Sequence, residues 1–199
     1  MLALILAGGE GSRLRLGEKA LVPVAGRPMI AHVLEAFAGA DIEPVVVTSY
    51  KTPYTRNWCR ANGADFLDTA GAGYVEDLCE AVEMTGEEGA LFTSAADIPC
   101  LTADIIRFVE EEYRASGKPA CSTWIPIELC KRYGMQPRYR ECVSGVWATP
   151  CALNIFMGGM VHEVQDELTL LLNEPGLAFN VNTREELAVA EREFARLRK

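Results

Sequence analysis

Apolar positions come as short continuous runs separated by stretches with helical spacing. Met1 to Ala7 is an unbroken apolar run of strand length closed by Gly8-Gly9, the pattern of a strand buried on both faces of a parallel sheet. Pro28 to Phe37 has apolar residues at helical intervals, with proline in the first turn and Gly39 beyond the end. Pro44 to Thr48 predicts a second buried strand, residues 53 to 62 a helix, and Ala64 to Leu67 a third, short strand. A helix over Tyr74 to Met84, a strand over Ala90 to Thr93 and a helix capped by Thr102 and running to Ser116 follow. This alternation predicts right-handed βαβ units in a three-layer α/β/α, Rossmann-like domain with a mostly parallel sheet.

Beyond Ser116 the pattern changes. Residues from Cys121 to Gly159 include three prolines, two tryptophans and several basic residues, and suggest an insertion or edge region beside the sheet. Apolar residues between Gly145 and Gly159 suggest the edge of a homodimer. Met160 to Asn173 predicts a helix and Ala178 to Val181 a last strand. A charged amphipathic helix then starts at Thr183, where Glu186 three residues on completes a capping box. With no repeat or linker, residues 1–199 are expected to form one domain.

At 199 residues and 49% hydrophobic content the chain can bury one sizeable core. Its formal net charge of -9 argues against a nucleic-acid partner, since phosphate-backbone binders concentrate lysine and arginine. An acidic protein that binds an anion must build its positive field locally, and Arg13, Arg15 and Lys19 lie together in the first loop. Seven cysteines without a CxxC pair and two distant histidines make a zinc site unexpected. Unpaired thiols without a signal peptide fit the cytoplasm, and no apolar run reaches the length of a membrane span. The cysteines read as small buried hydrophobes and His32 as a packed helix residue.

The first loop, LAGGEGSRLRLGEK from Leu6 to Lys19, sits at the carboxyl edge of the sheet, where α/β folds bind ligands. A dinucleotide fingerprint counted from Gly9 fails because its third glycine position falls on Leu14. A Walker loop fails because Gly17 is separated from Lys19 by Glu18. What remains is a loop whose amides at Gly8, Gly9 and Gly11 approach phosphate oxygens, with Ser12 and Arg13 at the turn and Lys19 returning to the same anion. Loops 68 to 73 and 94 to 99 are expected at the same edge.

LAGGEGSRL followed by EKALVPVAGRPMI resembles nucleotidyltransferases that carry an L-A-G-G-x-G-[ST]-R loop and a K-x-L-x-P-x-x-G-[RK]-P segment. Lys19, Leu21, Pro23, Gly26, Arg27 and Pro28 fill the second segment. The resemblance implies that Asp97 holds Mg²⁺, and it extends to Asn180-Val181-Asn182-Thr183, with Asn182 as a neutral metal ligand. Thr52-Pro53, DTAGAGYVEDL and FNVNTREEL are also similar to the archaeal GTP:adenosylcobinamide-phosphate guanylyltransferase family. That family often has glycine where this chain has Ala152, near Asn154 in the segment assigned to the acceptor.

The implied reaction is attack by an acceptor phosphate monoester on the α-phosphorus of GTP, expelling pyrophosphate. The nucleophile is already anionic, so positioning and charge neutralisation dominate. Arg13 would grip the β- and γ-phosphates, Lys19 would neutralise the α-phosphate, and Asp97 would hold the metal. Leu6, Ala7 and Thr48, at the ends of the first two strands, join the nucleotide-binding set. Asp68 would accept from the guanine edge or else stabilise its own turn, with Gly71 and Gly73 allowing close backbone approach. Tyr74 is an acceptor candidate, and Trp124 and Trp147 either form a corrin surface or pack internally. The alternatives are a molybdenum cofactor guanylyltransferase, a sugar-1-phosphate nucleotidyltransferase, and a non-catalytic nucleotide-binding regulatory subunit.

Overall fold

A computed structural model describes residues 1–9, 14–137 and 139–197. The chain runs β1 (Leu2–Leu6), a small antiparallel ribbon of β2 (Pro23–Val24) and β3 (Arg27–Pro28), α1 (Met29–Gly39), β4 (Glu43–Ser49) and α2 (Pro53–Asn62). It continues through β5 (Phe66–Thr69), α3 (Tyr74–Thr85), β6 (Ala90–Ala95), α4 (Ala103–Ser116), β7 (Ala120–Pro126) and α5 (Ile127–Arg132). The last third contains β8 (Glu141–Val143), β9 (Val146–Met157), β10 (Glu167–Leu171) and α6 (Arg184–Leu197).

The main sheet has the order β10-β7-β9-β6-β1-β4-β5, with β8 paired to β9. Strands β5, β4, β1 and β6 are mutually parallel, and β10 is parallel to β7. Among the described strands of this sheet β9 alone is reversed, running antiparallel to β6, β7 and its hairpin partner β8. β1 lies at the centre of the parallel half, with Ala3, Leu4 and Ile5 fully buried. Its alternate residues enter two cores. Ala3 and Ile5 join the larger one with Val33 and Phe37 of α1, while Leu4 meets Val47, Ala81 and Val82 on the α3 side.

Through β6 the expected elements are present, with small shifts. Gly39 is the last residue of α1 rather than a residue beyond it. β5 starts two residues later than expected, because Gly63 ends α2 in a left-handed turn and Ala64 still donates its N–H to the Cys59 carbonyl. Thr102 caps α4 by accepting from the Ile105 N–H. His32 is buried, hydrogen-bonded to the Val24 carbonyl and packed on Phe194. Five cysteines are buried, Cys79 is half-buried and Cys142 is exposed.

The region after Ser116 departs from expectation. Cys121 to Gly159 is not beside the sheet but inside it, since β9 inserts between β6 and β7. β9 is paired to β7 along one side and to β6 and β8 along the other. The expected helix over Met160 to Asn173 is instead a 3-10 turn and the edge strand β10. Gln165 makes the difference: its side chain accepts from the Met157 N–H at 2.9 Å and donates to the Met157 and Met160 carbonyls at 3.0 Å, closing a loop where a helix would run. The expected strand over Ala178 to Val181 is a 3-10 turn, Pro175–Ala178, leading into an extended segment anchored on the Asp97 carbonyl. The capping box of α6 forms as expected: Glu186 N–H donates to Thr183 Oγ1, and Glu186 accepts from the Thr183 N–H.

The register of β7 against β9 slips between Ser122 and Trp124, and on the facing strand Ala152 has a φ of 57°. A residue with a Cβ costs about 1–2 kcal/mol in this left-handed region, while glycine there costs unfolded-state entropy of about 0.4–1 kcal/mol. Ala152→Gly is therefore expected to leave stability unchanged or raise it by about 1 kcal/mol, and Ala152→Val to lower it by about 1–2 kcal/mol. Urea denaturation midpoints of the two variants check this, and a clear loss with glycine would contradict it.

Candidate active site

A cleft of about 420 Å³ opens at the carboxyl edge of β1, β4 and β6, within the size range of small-molecule sites. The first loop contributes Leu6, Gly8 and Gly9 to its wall. Ala7 does not face it: its side chain is buried and its N–H continues the ladder to the Val47 carbonyl. Gly11, Ser12 and Arg13 lie outside the described residues.

At Asp97, which lines the cleft, three distant segments meet. The Lys19 ammonium donates to Asp97 Oδ2 and, at 2.8 Å, to Asn182 Oδ1. Asn182 is oriented in turn, because its amide nitrogen donates to both the carbonyl and the side-chain oxygen of Asn180. The Asp97 carbonyl accepts from the Val181 N–H, which ties the end of β6 to the segment that carries Asn182. Lys19 and Asp97 retain about one-sixth of their side-chain exposure, so the pair is sheltered but within reach of a ligand. Asp97 Oδ1 is buried without a hydrogen-bond partner among the described residues. A buried carboxylate oxygen left unpaired is costly, and a cation would satisfy it.

Lys19 reaches this position through an interaction that the sequence reading missed. The preceding residue, Glu18, accepts from the Tyr54 and Thr55 N–H groups through its two carboxylate oxygens. It thus caps α2 from the first loop, matching a negative charge to a helix N-terminus.

The second wall is the loop 68 to 73 and the start of α3. Gly71 has a φ of 68°, and a Cβ there would come within 3.0 Å of the Tyr50 ring, so glycine is required twice over. Lys51, another residue missed from sequence, lines the cleft and donates from Nζ to the Gly71 carbonyl at 2.6 Å. Gly73, Tyr74 and Asp77 complete this wall. Tyr74 is half exposed, but desolvation of its hydroxyl end, opposed by the Thr93 hydroxyl and aided by the Asp97 charge, pushes its pKa up.

Two expected nucleotide contacts fall elsewhere. Thr48 is fully buried and does not line the cleft; its hydroxyl bonds to the Leu67 carbonyl and to Asp68 Oδ1. Asp68 does not line it either: Oδ1 is taken by Thr48 and Oδ2 by Arg56 Nη1 at 2.6 Å. Partial burial raises the pKa of this carboxyl, but the hydrogen bonds from Arg56 and Thr48 outweigh that and hold it below its usual value. Asp68 therefore stabilises its own strand end. Ala152 and Asn154 lie on β9, outside the wall of the cleft, with Asn154 paired between Thr93 and Ser122.

Among the described residues no three His, Cys, Asp or Glu side chains gather as a metal site. Any cation at Asp97 would need most of its ligands from substrate and water, which is the habit of Mg²⁺ at phosphate sites.

Glu18→Ala is expected to lower stability by about 1 kcal/mol through loss of the α2 cap, read as a shift in denaturation midpoint. Asp68→Asn is expected to destabilise the fold at pH 7 while leaving GTP affinity within about twofold. Because the folded-state pKa of Asp68 is depressed, the wild-type advantage should be full above the unfolded value near ~4 and vanish as pH falls below it. A large loss of nucleotide affinity in Asp68→Asn would return that residue to the site.

The MobA-like NTP transferase domain family matches residues 3–148. The chain is 29% identical over 200 aligned residues to the adenosylcobinamide-phosphate guanylyltransferase of Methanocaldococcus jannaschii, covering 95% of each protein. It is 30% identical over 127 residues to a probable molybdenum cofactor guanylyltransferase of Thermococcus gammatolerans, covering 61% of each. The crystal structure of molybdopterin-guanine dinucleotide biosynthesis protein A from Archaeoglobus fulgidus has the same fold. It superposes with a TM-score of 0.70 at 17% identity, over 98% of this chain and all of that one. The chain belongs to the MobA-like NTP transferase family and is a nucleotidyltransferase.

Proposed function

We propose that the protein transfers GMP from GTP to adenosylcobinamide phosphate, releasing pyrophosphate and forming adenosylcobinamide-GDP. The observation that carries this reading is the Lys19, Asp97 and Asn182 junction at the wall of a nucleotide-sized cleft. Likeness to the Methanocaldococcus jannaschii relative along nearly the whole chain supports the corrinoid acceptor over a pterin, for which the matched relative aligns over a shorter stretch.

An oxygen of the acceptor's phosphate monoester forms a bond to the α-phosphorus, and the bond from that phosphorus to the bridging β-oxygen breaks. Pyrophosphate leaves with the electron pair. No proton is removed from the nucleophile, which is largely anionic at neutral pH, its second pKa being near ~6. The protein's task is to bring two anions together. Backbone amides at Gly8 and Gly9 and the Arg13 guanidinium bind the triphosphate, and Lys19 neutralises charge at the α-phosphate. Asn182 and Asp97 hold the Lys19 ammonium in place until the nucleotide arrives.

The unpaired Asp97 Oδ1 and the neutral Asn182 oxygen fit Mg²⁺ entering with the triphosphate. When bound, the ion offsets phosphate charge and eases departure of pyrophosphate. Asp97 is the residue that would hold it, with Asn182 released from Lys19 as a neutral ligand.

Pyrophosphate release from GTP should require adenosylcobinamide phosphate and stop on chelation of divalent cations. Turnover with molybdopterin alone would reassign the acceptor, and GTP binding without turnover on any acceptor would make the protein a binding subunit. Asp97→Asn, which keeps a hydrogen-bond acceptor for Lys19, is expected to cut turnover by about 100-fold or more with little change in melting temperature.

A further inference from the structure

We propose that Asp77 reads the base of the nucleotide by accepting hydrogen bonds from guanine N1–H and the 2-amino group. This rests on GTP being the nucleotide substrate.

Asp77 lies in the first turns of α3 with only 8% of its surface exposed, yet it lines the cleft. Its Oδ1 accepts from the Ala72 N–H at 3.1 Å, which fixes the carboxylate between the second glycine loop and the first. Oδ2 has no partner among the described residues. It faces Gly8, where a Cβ would lie 3.8 Å from it. A carboxylate held in so sheltered a place gains most from a ligand that brings it hydrogen-bond donors. Gly8 belongs to the loop proposed to approach the phosphates, but two anions at close range repel in a sheltered site, so the favoured partners of this oxygen on a nucleoside triphosphate are neutral donors. The neutral donors that such a ligand offers are the base edge and the ribose hydroxyls.

Position favours the base. The Lys19–Asp97 pair is carried by the first loop and the end of β6, while Asp77 stands on the wall formed by Gly71 and Gly73, where Lys51 is held on the Gly71 carbonyl, with Leu6 and Val47 as apolar floor for a planar ring. A purine lying there presents its donor edge to a group held by Ala72. Guanine has two adjacent donors on that edge and adenine has none in the same arrangement, so the carboxylate selects between them as well as binding.

The test is calorimetric titration of wild type and Asp77→Asn with GTP, ATP, ITP, XTP and 2′-deoxy-GTP. Wild type should prefer GTP to ATP, lose about tenfold or more with ITP, which lacks the 2-amino group, and bind 2′-deoxy-GTP nearly as well as GTP. The asparagine keeps an oxygen for Ala72 and turns a donor toward the ligand, so GTP affinity should fall about 10- to 100-fold and XTP, with a carbonyl at C2, should overtake it. A folded Asp77→Asn with wild-type GTP and XTP affinities overturns the assignment, as does a loss with 2′-deoxy-GTP but not with ITP. If the variant does not fold, the wild-type comparison decides: equal affinity for ITP and GTP overturns the role of Asp77 while a GTP-over-ATP preference keeps the guanylyl reading. Absence of any GTP preference overturns both.

Discussion

Three segments far apart in the chain meet at the ammonium of Lys19. One carries Lys19 itself, one ends β6 at Asp97, and one enters α6 at Asn182, 163 residues from Lys19 in sequence. Around this contact each backbone is pinned separately. Glu18 docks the first loop onto α2, the Val181 N–H holds the Asp97 carbonyl, and Glu186 accepts from both the Asn182 and Thr183 N–H groups. The capping box that starts α6 is thus also the brace of the asparagine beside it. A sheltered ion pair stabilises little by itself, since desolvation offsets most of the Coulombic gain. Its value here is positional: the lysine is restrained from both sides, so on the proposed reaction its side-chain entropy would already be spent.

The parallel half of the fold was legible because its signals are local. β1, β4 and β6 are short apolar runs ending in glycine or polar residues, and α1 to α4 carry helical periodicity with identifiable ends. The antiparallel half was not. β9 looks irregular because prolines and polar residues interrupt it, and its place between β6 and β7 depends on two partners more than a dozen residues away. β10 has the alternation of a half-buried strand in Glu167, Leu168, Thr169 and Leu170, but the leucines after it also fit helical spacing. Gln165, which settles the matter, acts through side-chain bonds to backbone that no periodicity encodes.

The site was legible to a similar extent and for a similar reason. Glycines marked both walls of the cleft, and Lys19, Asp97 and Asn182 come together as their order in the chain suggested. The two aspartates near the second loop were harder to separate. Asp68 closes an edge strand, where Arg56 from α2 and Thr48 from β4 reach both of its oxygens. Asp77 is one of two acids in the first turn of α3, a place where acids are common. It lines the cleft because α3 turns its first residues over the end of β1. Only the packing of α3 on the sheet distinguishes a carboxylate with no oxygen to spare from one with an oxygen unclaimed.

Charge is accordingly segregated within a protein that is acidic as a whole. Net negative charge slows the approach of any anion, so the cationic groups must act at short range, inside a cleft that excludes much of the screening solvent. Lys51 is held on the Gly71 carbonyl and Lys19 on Asp97 and Asn182, so neither cation is left fully hydrated. On the proposed reaction, a triphosphate displacing Asp97 from Lys19 would free a carboxylate as a divalent cation arrived with it, and local charge would stay close to balance through the exchange.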